Sequence, residues 1–170
     1  MNSNTALAVS GGLVGGLATI VFANVAGLLI WAAFVAVACF FLTGGDQKAL
    51  QTTIVCNIFG VALAWVVALI LVNVTITLPT GVFAGILVGI AIVVIVLAAK
   101  IPFLASAPAT ILGFATAFAF LVQTPEMLSQ ATLTGMSLNN ALIGVSVSMV
   151  IGAILGYVIG KATGMLASAA

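Results

Sequence analysis

The sequence contains no histidine and no arginine, and only five ionisable side chains of the strong acid and base types. Those are Lys48, Lys100, Lys161, Asp46 and Glu126, so charged residues make up 3% of the chain against 65% hydrophobic ones. A soluble domain carries about 25% charged residues, and five charges cannot cover the surface of a globule of 170 residues. Without His, Arg or a carboxylate inside any apolar stretch, proton relays, voltage sensors and pumps for charged substrates lose their usual groups. A metal centre needs clustered Cys, His or carboxylates and a haem needs suitable axial ligands; the two cysteines alone supply neither, so no metal and no cofactor is expected. No acid–base pair or activated nucleophile can be assembled, which argues against an enzyme. A net charge of +1 argues against a nucleic-acid partner. Cys39 and Cys56 lie within apolar segments and read as small buried hydrophobes rather than a disulfide. The opening Met1-Asn-Ser-Asn-Thr5 lacks the positive region of a signal peptide, so the first apolar run is expected to stay in the mature chain.

What is present is apolar length. Runs near twenty residues are too long and too unalternating for barrel strands, which makes the chain an all-α integral membrane protein with the lipid bilayer as its partner. The stretch from Gln51 to Val72, QTTIVCNIFGVALAWVVALILV, spans a bilayer core of roughly 30 Å as one helix. Its polar residues, among them Thr53 and Asn57, gather in the first two turns, and Gly60 and Trp65 follow.

Six spans emerge along the chain. The uncharged run from 6 to 43 breaks only at Asn24 and Gly27, giving spans near 6–23 and 27–43, both short. The third covers 50–72 and the fourth about 81–99. Pro102 and Pro108 interrupt the next run; Pro108 removes a backbone donor and discourages helix at Ala107, so 101–107 reads as irregular or capping and the fifth span as 108–122. The longest loop runs from Gln123 to Ser137, the sixth span from 138 to 160, and 162–170 are expected to fray. With six alternating spans all three lysines share one side with both termini, and Glu126 lies opposite. The positive-inside rule makes the lysine side cytoplasmic, N-in and C-in.

The chain also echoes itself. Gly12-Leu-Val-Gly-Gly16 matches Gly85-Ile-Leu-Val-Gly89, Phe34 to Phe40 loosely matches Phe114 to Phe120, and Gly60-xxxx-Trp65 matches Gly152-xxxx-Tyr157. Three ordered matches suggest one domain over 1–170 built of two three-helix units, about 6–73 and 81–160. An odd number of helices per unit forces the second to enter from the opposite side, an inverted repeat of the transporter type. Chance matching among Gly, Ala and Val is the bland account. Gly12, Gly16, Gly60, Gly85, Gly89, Gly152 and Gly156 are then helix-packing positions, small residues that let backbones approach.

A resemblance follows from several short motifs. Trp31-xx-Phe34, Cys39-Phe40 leading to Gly44-Gly45-xx-Lys48, and Asn57-xx-Gly60-xxxx-Trp65 resemble the YcdZ-like small bacterial inner-membrane proteins, a domain-of-unknown-function family. Pro108-Ala-Thr110-Ile-Leu-Gly113 resembles that family's Pro-Gly-Thr-x-x-Gly segment, with Ala109 where glycine is usual, and Gly152-xxx-Gly156-Tyr157 matches its last helix. The resemblance covers most of 10–160 and implies a bacterial inner-membrane location; it brings no activity.

Neutral polar groups are left to carry function. Thr53 and Asn57 share a face of the third span, Thr110 follows the Pro108 break with Phe114 and Phe118 at helical spacing, and Ser148 lies in the sixth span. Each has an ordinary explanation: a hydroxyl bonded to its own helix, an interhelical bond for Asn57, packing for the phenylalanines. Together they outline a narrow path for a small neutral solute, with hydroxyls, the amide and carbonyls freed near Pro108 replacing hydration and the phenylalanines setting the bore. A passive channel or facilitator is the first reading; an ion-coupled secondary transporter and a non-transporting structural or accessory subunit are the alternatives. The small size and glycine faces suggest a homo-oligomer, dimer or trimer.

Overall fold

The computed structural model describes residues 1–168. Helix makes up 81% of it, and no strand occurs among the described residues. Helix α1 (Ser3–Ala23) begins where the Asn2 side chain accepts a bond from Thr5 N at 2.8 Å, satisfying one of the orphan donors of a helix start. It ends at Asn24, and Gly27 reverses the chain with φ at 85°. Leu138 packs where a Cβ on Gly27 would lie, at 2.6 Å, so only glycine fits that corner. Helix α2 (Ile30–Leu42) follows and stops at Gly44-Gly45, both at positive φ. Asp46 then caps α3 (Gln47–Asn73) through Ala49 N at 2.7 Å. After an extended link and Pro79 comes α4 (Thr80–Ala98), then a 3-10 turn over Pro102–Leu104.

Ser106 caps α5 (Ala107–Gln123), and Pro108 lies in its first turn. A proline there costs no intrahelical bond, so the irregular segment falls before α5, as expected. The expectation that Pro108 frees carbonyls along a path needs correcting: it opens the helix rather than breaking one. The loop beyond α5 contains a short helix, α6 (Gln130–Thr134), capped by Ser129. Helix α7 (Ala141–Ser168) starts three residues later than expected and does not fray after 160. Its last turns are held against α1, where the Ser10 and Thr163 hydroxyls pair at 2.7 Å and the Met1 amine donates to Leu166 O at 3.4 Å. Residues 169 and 170 lie outside the described residues.

Four helices, α1, α3, α4 and α7, are long and apolar enough to cross a membrane. The other two apolar helices are short: α2 with 13 residues and α5 with 17, about 20 and 26 Å at 1.5 Å per residue. Helix α3 is the hub. It packs most extensively on α5, and also on α7, α4 and α2, while α2 and α1 both pack on α7. A main core of Val61, Ala64, Phe114, Ala117, Val145 and Met149 joins α3, α5 and α7. Helices α1 and α4 are peripheral and turn large apolar side chains outward, such as Leu13 at 65% and Ile90 at 56% exposure.

The glycines divide accordingly. A Cβ on Gly60 would strike Thr110 O and, at 2.6 Å, Phe114 N; one on Gly113 would strike the backbone of Asn57; one on Gly152 would strike the Ala33 backbone; and one on Gly156 would meet the Phe40 ring at 3.0 Å. Gly60, Gly152 and Gly156 therefore pack helix on helix as expected. Gly12, Gly16, Gly85 and Gly89 do not: a Cβ on any of them meets nothing within 4 Å. They sit on the outward faces of α1 and α4, and spacing alone did not say which face turns inward. Gly60→Ala and Gly152→Ala are expected to destabilise the fold by roughly 1–3 kcal/mol or more, the scale of overpacking. Gly12→Ala and Gly85→Ala should stay within about 0.5 kcal/mol, as measured by thermal melting in mild detergent.

Candidate functional site

Positions 53, 57, 60 and 64 fall on one face of α3, and α5 crosses that face. Gly60 admits the Thr110 carbonyl while Gly113 of α5 admits the Asn57 backbone, so the two helices touch main chain to main chain. Asn57 stands at the crossing with 1% exposure, facing the interior as the sequence suggested. Neither its Nδ2 nor its Oδ1 has a hydrogen-bond partner among the described residues. The Cys39 thiol of α2, a weak hydrogen-bonding group, is the polar neighbour with which the amide interacts. Leaving a buried amide unpaired costs about 1–3 kcal/mol, which makes Asn57 the least settled polar group in the bundle. Ser146 Oγ is the other buried side-chain oxygen without a partner.

The remaining predicted residues are in quieter positions. Thr53 pairs with the Thr43 hydroxyl at 3.0 Å one turn from Asn57. Thr110 donates to Ser106 O at 3.2 Å, and its neighbour Thr116 donates to Leu112 O at 2.6 Å, both within α5. Phe114 and Phe118 stack, with ring centroids 5.7 Å apart and an 11° angle between planes. Ser148 Oγ donates to Gly144 O at 2.7 Å and accepts from Leu29 N at 3.0 Å, pinning the start of α2 to α7. The structure thus gathers Asn57, Thr110 and Phe114 at one crossing, with Thr53 one turn away along α3 and Phe118 stacked on Phe114. Ser148 spends its bonds on α2 and α7 instead, and Pro108 serves the helix start.

Sequence reasoning missed part of the polar column. Thr43 and Cys39 of α2, with Thr53, Cys56 and Asn57 of α3, lead inward from the 43–46 turn; both thiols are free and buried. The hydroxyl of Thr43 and the thiol of Cys39 lie four residues apart on α2, a spacing that marks one face. It also missed the outer closure. Trp65 Nε1 donates to Leu133 O at 2.8 Å, and Asn140 Nδ2 donates to the same carbonyl and to Gly135 O, each at 2.9 Å. The Ser129 cap and the apolar Leu133 between Thr132 and Thr134 were the available signals.

Two surface pockets flank the crossing without reaching Asn57. One of about 430 Å³ is lined by Leu29, Trp31, Ala119, Phe120, Gln123 and Thr124. The other, about 260 Å³, lies among Gly45, Asp46, Gln47, Tyr157, Gly160 and Lys161. Lys161 Nζ sits 5.4 Å from the Tyr157 ring centre, in cation–π range.

The described residues define an all-helical protein with four helices of membrane-crossing length and composition. The model of a family described as "Protein of unknown function (DUF1097)" matches residues 8–164, and the chain belongs to that family. No curated protein and no solved structure matches it.

Replacing Asn57 with the similarly sized Leu removes an unpaired amide, so Asn57→Leu should raise stability by about 1 kcal/mol. Ser148→Ala strands the Leu29 N–H and should lower it by a similar amount. Chemical or thermal unfolding in detergent measures both, and a stability loss for Asn57→Leu would reveal a partner for the amide.

Proposed function

We propose that the protein crosses a bacterial inner membrane six times, as two inverted three-helix units over 6–73 and 81–160, and passes a small uncharged solute passively along a path past Asn57. The observation that carries the reading is the Asn57 amide, without a formed hydrogen bond at the α3–α5 crossing while the hydroxyls of Thr53 and Thr110 beside it are bonded. A buried amide whose polar neighbour is only a weakly bonding thiol keeps capacity to replace part of a solute's hydration shell. Thr53 and Thr110 flank it, and the stacked Phe114 and Phe118 wall the outer half. With no Asp, Glu, His, Lys or Arg inside the spans 6–23, 27–43, 50–72, 81–99, 108–122 and 138–160, a charged solute would find no compensating partner. The reading assigns no reaction, cofactor or metal.

The packing pattern supports the repeat. Exchanging α1, α2, α3 with α4, α5, α7 turns the α2–α7 pair into α5–α3, and α1–α7 into α4–α3, each of which is a packed pair. Gly60 and Gly152 correspond, and each takes the backbone of the other unit's short helix. Short helices in matching positions of the two halves are the feature that marks transporter binding sites. The resemblance to YcdZ-like inner-membrane proteins supports the location. Contacts also group the charges: Lys161 shares a pocket with Gly45 and Asp46, and Lys48 shares one with Pro102 and Phe103, next to Lys100. The positive-inside rule then sets both termini in the cytoplasm. The outward glycines of α1 and α4 leave room for the close approach of a second copy, in a dimer or trimer.

Proteoliposomes test the function. Flux of glycerol or urea without an imposed ion gradient is expected, and Asn57→Leu should cut it at least tenfold while leaving the fold intact. A strict need for a sodium gradient would favour a coupled transporter, and no flux under any condition would leave an accessory subunit. Orientation is checked by cysteines placed at Lys100 and Glu126: an impermeant thiol reagent should reach the first only from the cytoplasmic side and the second only from outside. Native mass spectrometry should show an oligomer; a uniform monomer would remove that part of the proposal.

A further inference from the structure

The two ends of the bundle are closed differently. At the lysine end, the connection between α2 and α3 is the tight turn 43–46, and a pocket of about 260 Å³ remains between that turn and Tyr157. At the other end the corresponding connection, 124–140, is much longer and folds back onto the bundle. The indole N–H of Trp65, which aligns with Tyr157, is occupied by the Leu133 carbonyl. The Leu133 side chain is fully buried in the core shared with Val61, Phe114 and Val145.

We infer that residues 124–139 form a lid over the outer end of the solute path, latched on the Leu133 carbonyl by Trp65 of α3 and by Asn140, the residue that leads into α7. The inference rests on the path proposed above and assigns its regulation. Helix α6 has five residues, far fewer than the 12–15 or so that an isolated helix needs for marginal stability in water. Its shape therefore depends on what it docks against. Three hydrogen bonds and one buried leucine do most of that work: Trp65 Nε1 and Asn140 Nδ2 fill both lone pairs of one carbonyl, and the second Asn140 proton goes to Gly135 O. A side chain donating to the lid from α3 and another from the start of α7 tie it to two helices of the path. Withdrawal of Leu133 uncovers Val61, which lies on α3 between Trp65 and Asn57. The inner end has no such insert, so opening to the outside is the gated step.

Two substitutions weaken the latch while sparing the helices. Trp65→Phe keeps an aromatic ring and loses the N–H. Asn140→Asp keeps an oxygen for Leu142 N, which Asn140 Oδ1 accepts at 3.0 Å, and loses both donated bonds. The reporter is Val61→Cys in a chain with Cys39→Ala and Cys56→Ala, in vesicles exposed to an impermeant methanethiosulfonate on the face bearing Glu126. The reporter should react slowly with the latch intact and at least tenfold faster with either substitution. Unchanged rates in folded protein would overturn the lid. Faster labelling without solute flux in any form would keep the lid and defeat the path; flux that Asn57→Leu abolishes, with labelling rates unchanged, would do the reverse. Should both variants misfold, hydrogen exchange in the unaltered protein decides: amides of 131–135 should exchange at least tenfold faster than those of 61–68, and equal protection would overturn the proposal.

Discussion

The rest of the bundle depends on a contact between two backbones. At Gly60 and Gly113, α3 and α5 approach until each helix's main chain fills the space a side chain would take on the other. Between helices in lipid, which offers no hydrophobic gain for bringing them together, close packing of this kind is what supplies the attraction. The same crossing fixes where Asn57 stands and which way it faces. Moving the helices apart by one methyl group would loosen the α3 hub on which α7, α4 and α2 also pack. The site and the fold thus share one constraint.

That sharing explains the unusual standing of Asn57. The hydroxyls near it are bound to their own helix carbonyls or, for Thr53, to Thr43. A hydroxyl can turn back on its helix because its reach is short. The amides of Asn24 and Asn73 turn back in the same way, onto Ile20 O and Leu69 O, but that of Asn57 does not, and the glycine on the facing helix offers no polar side chain to meet it. The bundle therefore keeps a polar group that a purely structural core would have replaced with leucine.

Much of the helical layout was legible in the sequence because apolar length and breakers report it directly. Asn24, Gly27, Gly44-Gly45, Pro79 and Pro108 all fall at or next to helix ends. The face of each helix was less legible. In a chain this apolar, inward and outward positions use the same residues, so the spacing of Gly12 and Gly16 looked like that of Gly152 and Gly156 although only the latter pair meets a neighbour. Thr53, Asn57, Thr110 and Phe114 were read as one cluster from polarity and the Pro108 signal. Ser148 was grouped with them on polarity alone and belongs to a different contact. The folded-back loop was missed because its docking depends on a main-chain carbonyl, which has no letter in the sequence.

The seam between α1 and the end of α7 brings the first residue and Leu166 within hydrogen-bond distance. Along the chain, α1–α3 and α4–α7 are linked through the extended segment 74–79. In three dimensions the chain is nearly a ring with two interchangeable joints. Sealing the first joint with a short linker and cutting the second would give a circular permutant whose halves occur in the opposite order but keep every packed helix pair. Such a molecule would separate the order of synthesis from the architecture, and so ask whether either half must enter the membrane first.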